Sequence, residues 1–281
     1  MTKQPFDSFD KTVLNRYKNV SKLKKLPGLF DDSSSDVWEI QSVCFEGDSK
    51  LIDYVIKSHQ ISHSSAFWQG MELLYKRSIC CSYRDAQITY QFIRNLTELN
   101  IPQVSDVLVG PSHCALVLNK IDGQSIKQQQ ISDSLVQELA HFLAEMHSFR
   151  ADKVGAIVAE HENNPGYDLK SWPQKVLSTI QSLLSDELAQ TPCVKEVLKN
   201  PIDFTLQRIV PLMMDLRWDQ FSQIEGRLVG VFDLDAFVFA PIELDFVILE
   251  YLLTTPQLTI FKKAYEEAGR KDLRVPSISK V

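Results

Sequence analysis

Two short runs early in the chain alternate apolar with polar positions and are rich in β-branched and aromatic residues: VWEIQSVCF from Val37 to Phe45 and LIDYVIK from Leu51 to Lys57. The glycine-containing turn EGDSK joins them, so the pair predicts a β-hairpin. Further on the period changes to that of a helix. Ile88, Phe92, Leu96 and Leu99 recur at helical spacing, and the run stops at Asn100 with Pro102 just beyond, which predicts a helix ending there. CALVLNKIDG, from Cys114 to Gly123, reads as one apolar strand entering a polar turn. The glutamines Gln128 to Gln130 form a second polar turn, and the strongest helical stripe follows: Leu135, Leu139, Phe142, Leu143 and Met146, with Ser134 and Gln137 spaced as a capping box.

From about Arg150 to Asn200 the pattern loosens. NNPGYD, from Asn163 to Asp168, marks a turn, and an amphipathic helix is predicted from Val176 to Leu188 as a substrate-facing or lid element. Two acidic stretches come next, LMMDLRWDQF (Leu212 to Phe221) and VFDLDAF (Val231 to Phe237), separated by a hairpin that turns at Glu225 and Gly226. Helical patterns close the chain in LDFVILEYLL and IFKKAYEEAG. Strands and one helix first, then mostly helices, predict an α+β protein with a small β-rich N-terminal lobe over residues 1–118 and a larger helical C-terminal lobe over residues 119–281.

Composition changes this picture little. At 281 residues and 44% hydrophobic content the chain can bury a sizeable core. A formal net charge of -6 argues against chain-wide attraction to nucleic acid or anionic membrane, so neither is an expected partner. No apolar run reaches transmembrane length and no signal-peptide pattern opens the chain, so a soluble cytoplasmic protein is expected. Five cysteines (Cys44, Cys80, Cys81, Cys114, Cys193) show no C-x-x-C spacing and are expected to be reduced thiols. The six histidines are dispersed, without the H-E-x-x-H spacing of a zinc site.

The chemistry concentrates in the acidic hairpin. Asp215 and Asp233 lie eighteen residues apart, with Gln220 between them. A loop followed by a hairpin returns the chain so that both carboxylates and the amide converge. Hard cations such as Mg²⁺ take oxygen ligands of this kind while keeping waters and substrate phosphates. Phosphoryl transfer needs the same set, with a lysine on the phosphates. Taken alone, an aspartate ending an apolar strand is as readily a turn-former.

From about Ser33 to Gly269 the order of motifs resembles the aminoglycoside phosphotransferase and choline/fructosamine kinase-like family, which has the bilobal protein-kinase-like fold. The resemblance implies an ATP-dependent phosphotransferase acting on a hydroxyl of a small molecule, with ATP and Mg²⁺ as cofactors. It implies Asp215 as catalytic base, Gln220 and Asp233 as metal ligands, and Lys57 on the nucleotide phosphates. It further implies Asp85, or alternatively Glu72, as the carboxylate orienting Lys57. The turn DDSSSD, through Ser34 and Ser35, would cover the phosphates. LVLNKIDGQS would be the hinge, where adenine meets backbone atoms around Asn119, between Leu118 and Lys120. His147, in LAHFLAEMHS, and Asp245, in IELDF, match structural positions.

Several positions depart from the family pattern. Met213 and Met214 replace the histidine and glycine before the catalytic aspartate, Gln220 replaces asparagine, Asp85 replaces glutamate, and the phosphate-covering turn has no glycine. Two readings therefore stand: a small-molecule kinase with an atypical catalytic loop, or an inactive kinase-fold binding or regulatory module. Asp215, Asp219, Asp233 and Asp235 form an acidic pocket that would attract a cationic amino sugar or amino alcohol.

Overall fold

Lys57 lies in the middle strand of a five-stranded antiparallel sheet. In the computed structural model, which describes residues 20, 22–27, 35–43, 51–62, 65–158, 166–199 and 206–268, the strands are β1 (Lys22–Lys25), β2 (Asp36–Val43), β3 (Leu51–Gln60), β4 (Val104–Val109) and β5 (His113–Asn119). Their order is β1-β2-β3-β5-β4. The expected hairpin is β2–β3, in register from Asp36 opposite Ser58 to Val43 opposite Leu51; its turn, with Cys44, falls outside the described residues. Alternation assigns the two faces. Ile40, Tyr54, Ile56, Leu108, Ala115 and Val117 form a small core on one side, whereas Leu116 and Leu118 face the main core. Lys57 sits opposite Leu116, and directly opposed residues share a face, so the lysine points into the body of the molecule.

Three helices fill the segment between β3 and β4: α1 (Ala66–Tyr75), α2 (Ile79–Arg84) and α3 (Ala86–Arg94). The helix expected to run to Asn100 ends six residues earlier. Thr97 competes with helix continuation, its hydroxyl donating to Glu145 Oε2 at 2.5 Å while accepting from Leu99 N. The buried face of α3 is Ala86, Thr89, Tyr90 and Ile93, and Ile88 is exposed. The break at Asp85, which ends α2 and starts α3, resets the helical phase and turns Tyr90 inward.

After β5, Gly123 adopts φ +99°, and a side chain there would meet Ser222 Cβ at 3.0 Å; glycine alone permits the close approach of β6 (Gln124–Ser125) to the later hairpin. The strong helix is α4 (Asp133–Met146), capped by Ser132, whose hydroxyl accepts from Leu135 N, and not by Ser134. β7 (Gly155–Ala156) and α5 (Trp172–Leu183) follow. The helix expected to continue to Leu188 breaks at Leu184, where Ser185 caps the short α6 (Asp186–Ala189), before α7 (Pro192–Lys199).

The strands β8 (Ile209–Met213), β9 (Phe221–Ile224), β10 (Arg227–Val231) and β11 (Phe237–Pro241) make two small sheets, β10-β9-β6 and β7-β11-β8. The hairpin β9–β10 turns at Glu225 and Gly226, both at positive φ, as anticipated. Helices α8 (Glu243–Leu252) and α9 (Thr255–Glu267) complete the helical lobe. His147, Asp245 and Tyr265 are fully buried, with the imidazole bridging the Tyr265 hydroxyl and Asp245 Oδ2, each at 2.7 Å; this network ties α4 to α8 and α9. The fold is the bilobal α+β protein-kinase-like fold.

The cysteines depart from expectation. Cys80 of α2 is disulfide-bonded to Cys114 of β5, because the helix lies directly on the sheet face that Cys114 shares with Leu116. Cys81 and Cys193 are free. Among the described residues no helix is long and apolar enough to cross a membrane.

Candidate active site

The loop after β8 carries Met214, Asp215, Leu216 and Arg217 into a short 3₁₀ turn, Trp218–Gln220. Two backbone hydrogen bonds bind this loop to the strand ends bearing Asp233: Met214 N–H donates to Ala236 O at 3.3 Å and Phe232 N–H to Gln220 O at 2.9 Å. Asp215 and Asp233 are thereby brought to one site across eighteen residues. Met213 is a buried strand residue opposite Phe237. Met214, where the family pattern has glycine, is not at positive φ; Asp233 is, with φ 66° and ψ 46°, a conformation aspartate tolerates better than bulky residues do. Met214 accepts instead a 3.3 Å contact from the Tyr75 hydroxyl on its sulfur.

Asp215 is held on one side only. Gln220 Nε2 donates to its Oδ2 at 2.9 Å, and Arg217 Nη1 lies 3.9 Å from the same oxygen. Oδ1 is buried and has no partner. Burial, reinforced by the nearby Asp233 charge, pushes the Asp215 carboxyl up to about 7. Gln220 uses both ends of its amide within the loop, its oxygen accepting from Arg217 N at 2.9 Å. That oxygen, expected on a metal, is turned to the backbone, because the extra methylene relative to asparagine lets the amide close a capping box on Arg217.

Lys57 Nζ donates to both Asp233 Oδ1 and Asp235 Oδ2. Tyr90 OH donates to Asp235 Oδ1 at 3.2 Å and accepts from Leu234 N at 3.3 Å. The Tyr83 ring lies 5.8 Å from the ammonium, and Ser35 Oγ is 2.9 Å from the Tyr83 hydroxyl. Burial works against the Lys57 charge, but Asp233 and then Asp235 outweigh it and hold the ammonium well above its ordinary value. Burial likewise opposes the Asp233 charge, and Lys57 overcomes it, leaving this carboxyl below the usual range. For Asp235 burial wins and the carboxyl is raised.

Neither carboxylate expected to orient Lys57 does so. Asp85 is paired with Arg77, a fully buried guanidinium that captures the shorter side chain before it can reach β3; Glu72 is exposed on α1. Lys57 is held instead by Asp233 and by Asp235, which Tyr90 in turn holds; the sequence places Asp235 only in the acidic pocket and gives Tyr90 no role. The amides expected to read adenine are also committed, Asn119 N–H to Gln103 O at 2.9 Å and Lys120 N–H to Asp53 O at 2.8 Å, while the Asn119 side chain accepts from Ser105. These bonds lock the end of β5 into its sheet. Ile121 N–H has no backbone acceptor among the described residues. Ser34 and the rest of the turn before Ser35 lie outside the described residues. The expected acidic pocket is partly neutralised, with Arg217 on Asp219 (Nε to Oδ1 3.0 Å) and Lys57 between Asp233 and Asp235.

Among the described residues no group of three or more histidine, cysteine, aspartate or glutamate side chains is arranged to hold a metal ion. The donor chemistry still fits Mg²⁺ bound chiefly through phosphates, which needs only one or two protein carboxylates. Asp233, whose side chain is 31% exposed, is the residue that would supply one.

The sequence profile of the phosphotransferase enzyme family matches residues 82–277. The chain belongs to that family of phosphotransferase enzymes. No curated protein sequence matches the chain. Among solved structures it is similar to the gentamicin complex of APH(2")-IIa, at 21% identity and TM-score 0.61 over 95% of this chain and 86% of that one. The streptomycin–ATP ternary complex of the same enzyme matches at 19% identity and TM-score 0.59, with 95% and 86% covered. The macrolide 2'-phosphotransferase MphH of Brachybacterium faecium matches at 10% identity and TM-score 0.58, with 94% and 83% covered. At these identities the likeness is one of fold.

Proposed function

We infer that the chain is an ATP-dependent phosphotransferase that moves the γ-phosphate to a hydroxyl of a small molecule. The observation that carries this reading is the Asp215 carboxylate, anchored through Oδ2 and presenting a buried, unpartnered Oδ1. A buried acceptor without a donor is costly, and a substrate hydroxyl would satisfy it. With its carboxyl raised to about 7, Asp215 is matched to taking that proton near neutral pH. Lys57 neutralises phosphate charge, Asp233 would hold Mg²⁺, and Gln220 and Arg217 fix the carboxylate. A bound Mg²⁺ would supply charge neutralisation for the transferring phosphoryl group. The adenine edge would lie along the chain from Asn119 O to Ile121 N. Residues 1–118 would form the nucleotide lobe and residues 119–281 the substrate lobe.

The nucleotide in the streptomycin–ATP complex of APH(2")-IIa supports ATP as donor. The antibiotics held by that enzyme do not carry over as substrates, because a likeness at 19–21% identity is one of fold. An ADP-release screen over amino sugars, amino alcohols and ketosamines tests the reading. A turning-over acceptor should give kcat/KM rising with pH through about 7, with Asp215→Asn reducing kcat by at least about 100-fold. ADP release that is unchanged in Asp215→Asn would contradict the assignment.

A further inference from the structure

We propose that Asp235, held by the hydroxyl of Tyr90, is the positioning residue for Lys57, a role that neither Asp85 nor Glu72 performs. The inference rests on the nucleotide reading of the site for its consequence, but its geometry stands apart from it. Both oxygens of Asp235 are used: Oδ2 accepts from Lys57 Nζ and Oδ1 from Tyr90 OH at 3.2 Å. The Tyr90 hydroxyl accepts in turn from Leu234 N at 3.3 Å, the residue just before Asp235. A closed hydrogen-bonded ring therefore joins α3 to the Leu234–Ala236 turn, and Lys57 ties β3 to it through Asp235. The helix reaches the lysine through a tyrosine and a carboxylate on the opposite lobe, where a single glutamate on the helix would have served directly.

Two carboxylates touch Lys57, and their exposure separates their roles. The Asp233 side chain is 31% exposed, whereas that of Asp235 is 5% exposed and contacted by Tyr90 and Lys57. On nucleotide binding Asp233 would hold Mg²⁺ in place of the lysine. Asp235 has no solvent-side partner to gain, so it retains Lys57 and aims it at the phosphates. Asp85 cannot take over, since leaving Arg77 would strand a buried guanidinium.

The test is a double-mutant cycle on Lys57→Met and Asp235→Asn, read in two ways. In ATP titration calorimetry, Asp235→Asn should weaken binding about tenfold, and less than twofold once Lys57 is already methionine. Tyr90→Phe should weaken it about threefold and be equally silent in the Lys57→Met background. Glu72→Gln and Asp85→Glu should leave affinity within about twofold. In urea unfolding without nucleotide, Lys57 and Asp235 should be coupled by about tenfold in the unfolding constant. If no form of the protein binds ATP but the unfolding coupling persists, the nucleotide reading fails and the pairing stands. If the coupling in unfolding is below twofold, or if Asp85→Glu alters ATP affinity more than Asp235→Asn does, the proposal is overturned. Should Asp235→Asn fail to fold, the Tyr90→Phe cycle carries the same decision.

Discussion

Met214 stands where the family pattern has glycine, and its backbone is not left-handed. The substitution therefore costs no backbone strain, and its thioether receives the Tyr75 hydroxyl. Restoring glycine should not help: Met214→Gly should lower stability by about 1 kcal/mol in chemical denaturation, from backbone entropy and the lost contact, and a stabilised variant would contradict the assignment. Asp215 makes a second prediction at this scale. Its folded carboxyl, at about 7, lies above the unfolded value of about 3.9. Between those values the folded state keeps a proton the unfolded chain has released, so stability falls as pH rises through the window. Asparagine has no such loss. The stability of Asp215→Asn relative to the native protein should be flat below pH 4 and should rise to a gain on the order of a few kcal/mol above pH 7. The sequence pointed to Asp215 and Asp233 because motif order survives substitution. It did not reveal that Gln220 faces inward or that Asp85 is captured by Arg77, since both depend on contacts between side chains whose reach no pattern encodes.

The hairpins were legible as elements because period-two alternation and turn chemistry are local: β2–β3 and β9–β10 fall where the pattern places them, and the Glu225–Gly226 turn has the positive φ values its residues permit. Helix ends were not. The predicted cap at Ser134 gives way to Ser132, and only the hydrogen bond to Leu135 N separates two serines equally plausible in sequence. Ser132→Ala should cost about 1 kcal/mol in thermal or chemical unfolding and Ser134→Ala less than about 0.5 kcal/mol; the reverse order would restore the sequence reading. The helix over Ala86–Arg94 buries Tyr90 where the apolar stripe suggested Ile88. That phase error hid the Tyr90 hydroxyl, the group that completes the Lys57 cluster.

At the scale of the molecule, the α+β architecture was readable from the order of strands and helices, and the solved structures the chain resembles share its fold. The contacts that make it a site were not, because Lys57 and Asp235 are far apart in sequence and joined only by tertiary folding. The Cys80–Cys114 bond is of the same kind, closing a loop of 34 residues between α2 and the sheet. Reduction, or Cys114→Ser under oxidising conditions, should destabilise the chain by about 2–4 kcal/mol in chemical denaturation, and an unchanged midpoint would remove the bond from the account of stability.

A metal-assisted nucleotide site built from Asp215, Asp233 and Lys57 would register in thermal unfolding with ATP, with and without Mg²⁺. ATP should raise the native Tm only when Mg²⁺ is present, the rise should vanish in Asp233→Ala, and it should persist in Asp215→Asn. No Mg²⁺-dependent shift in the native protein, or an undiminished shift in Asp233→Ala, would contradict it.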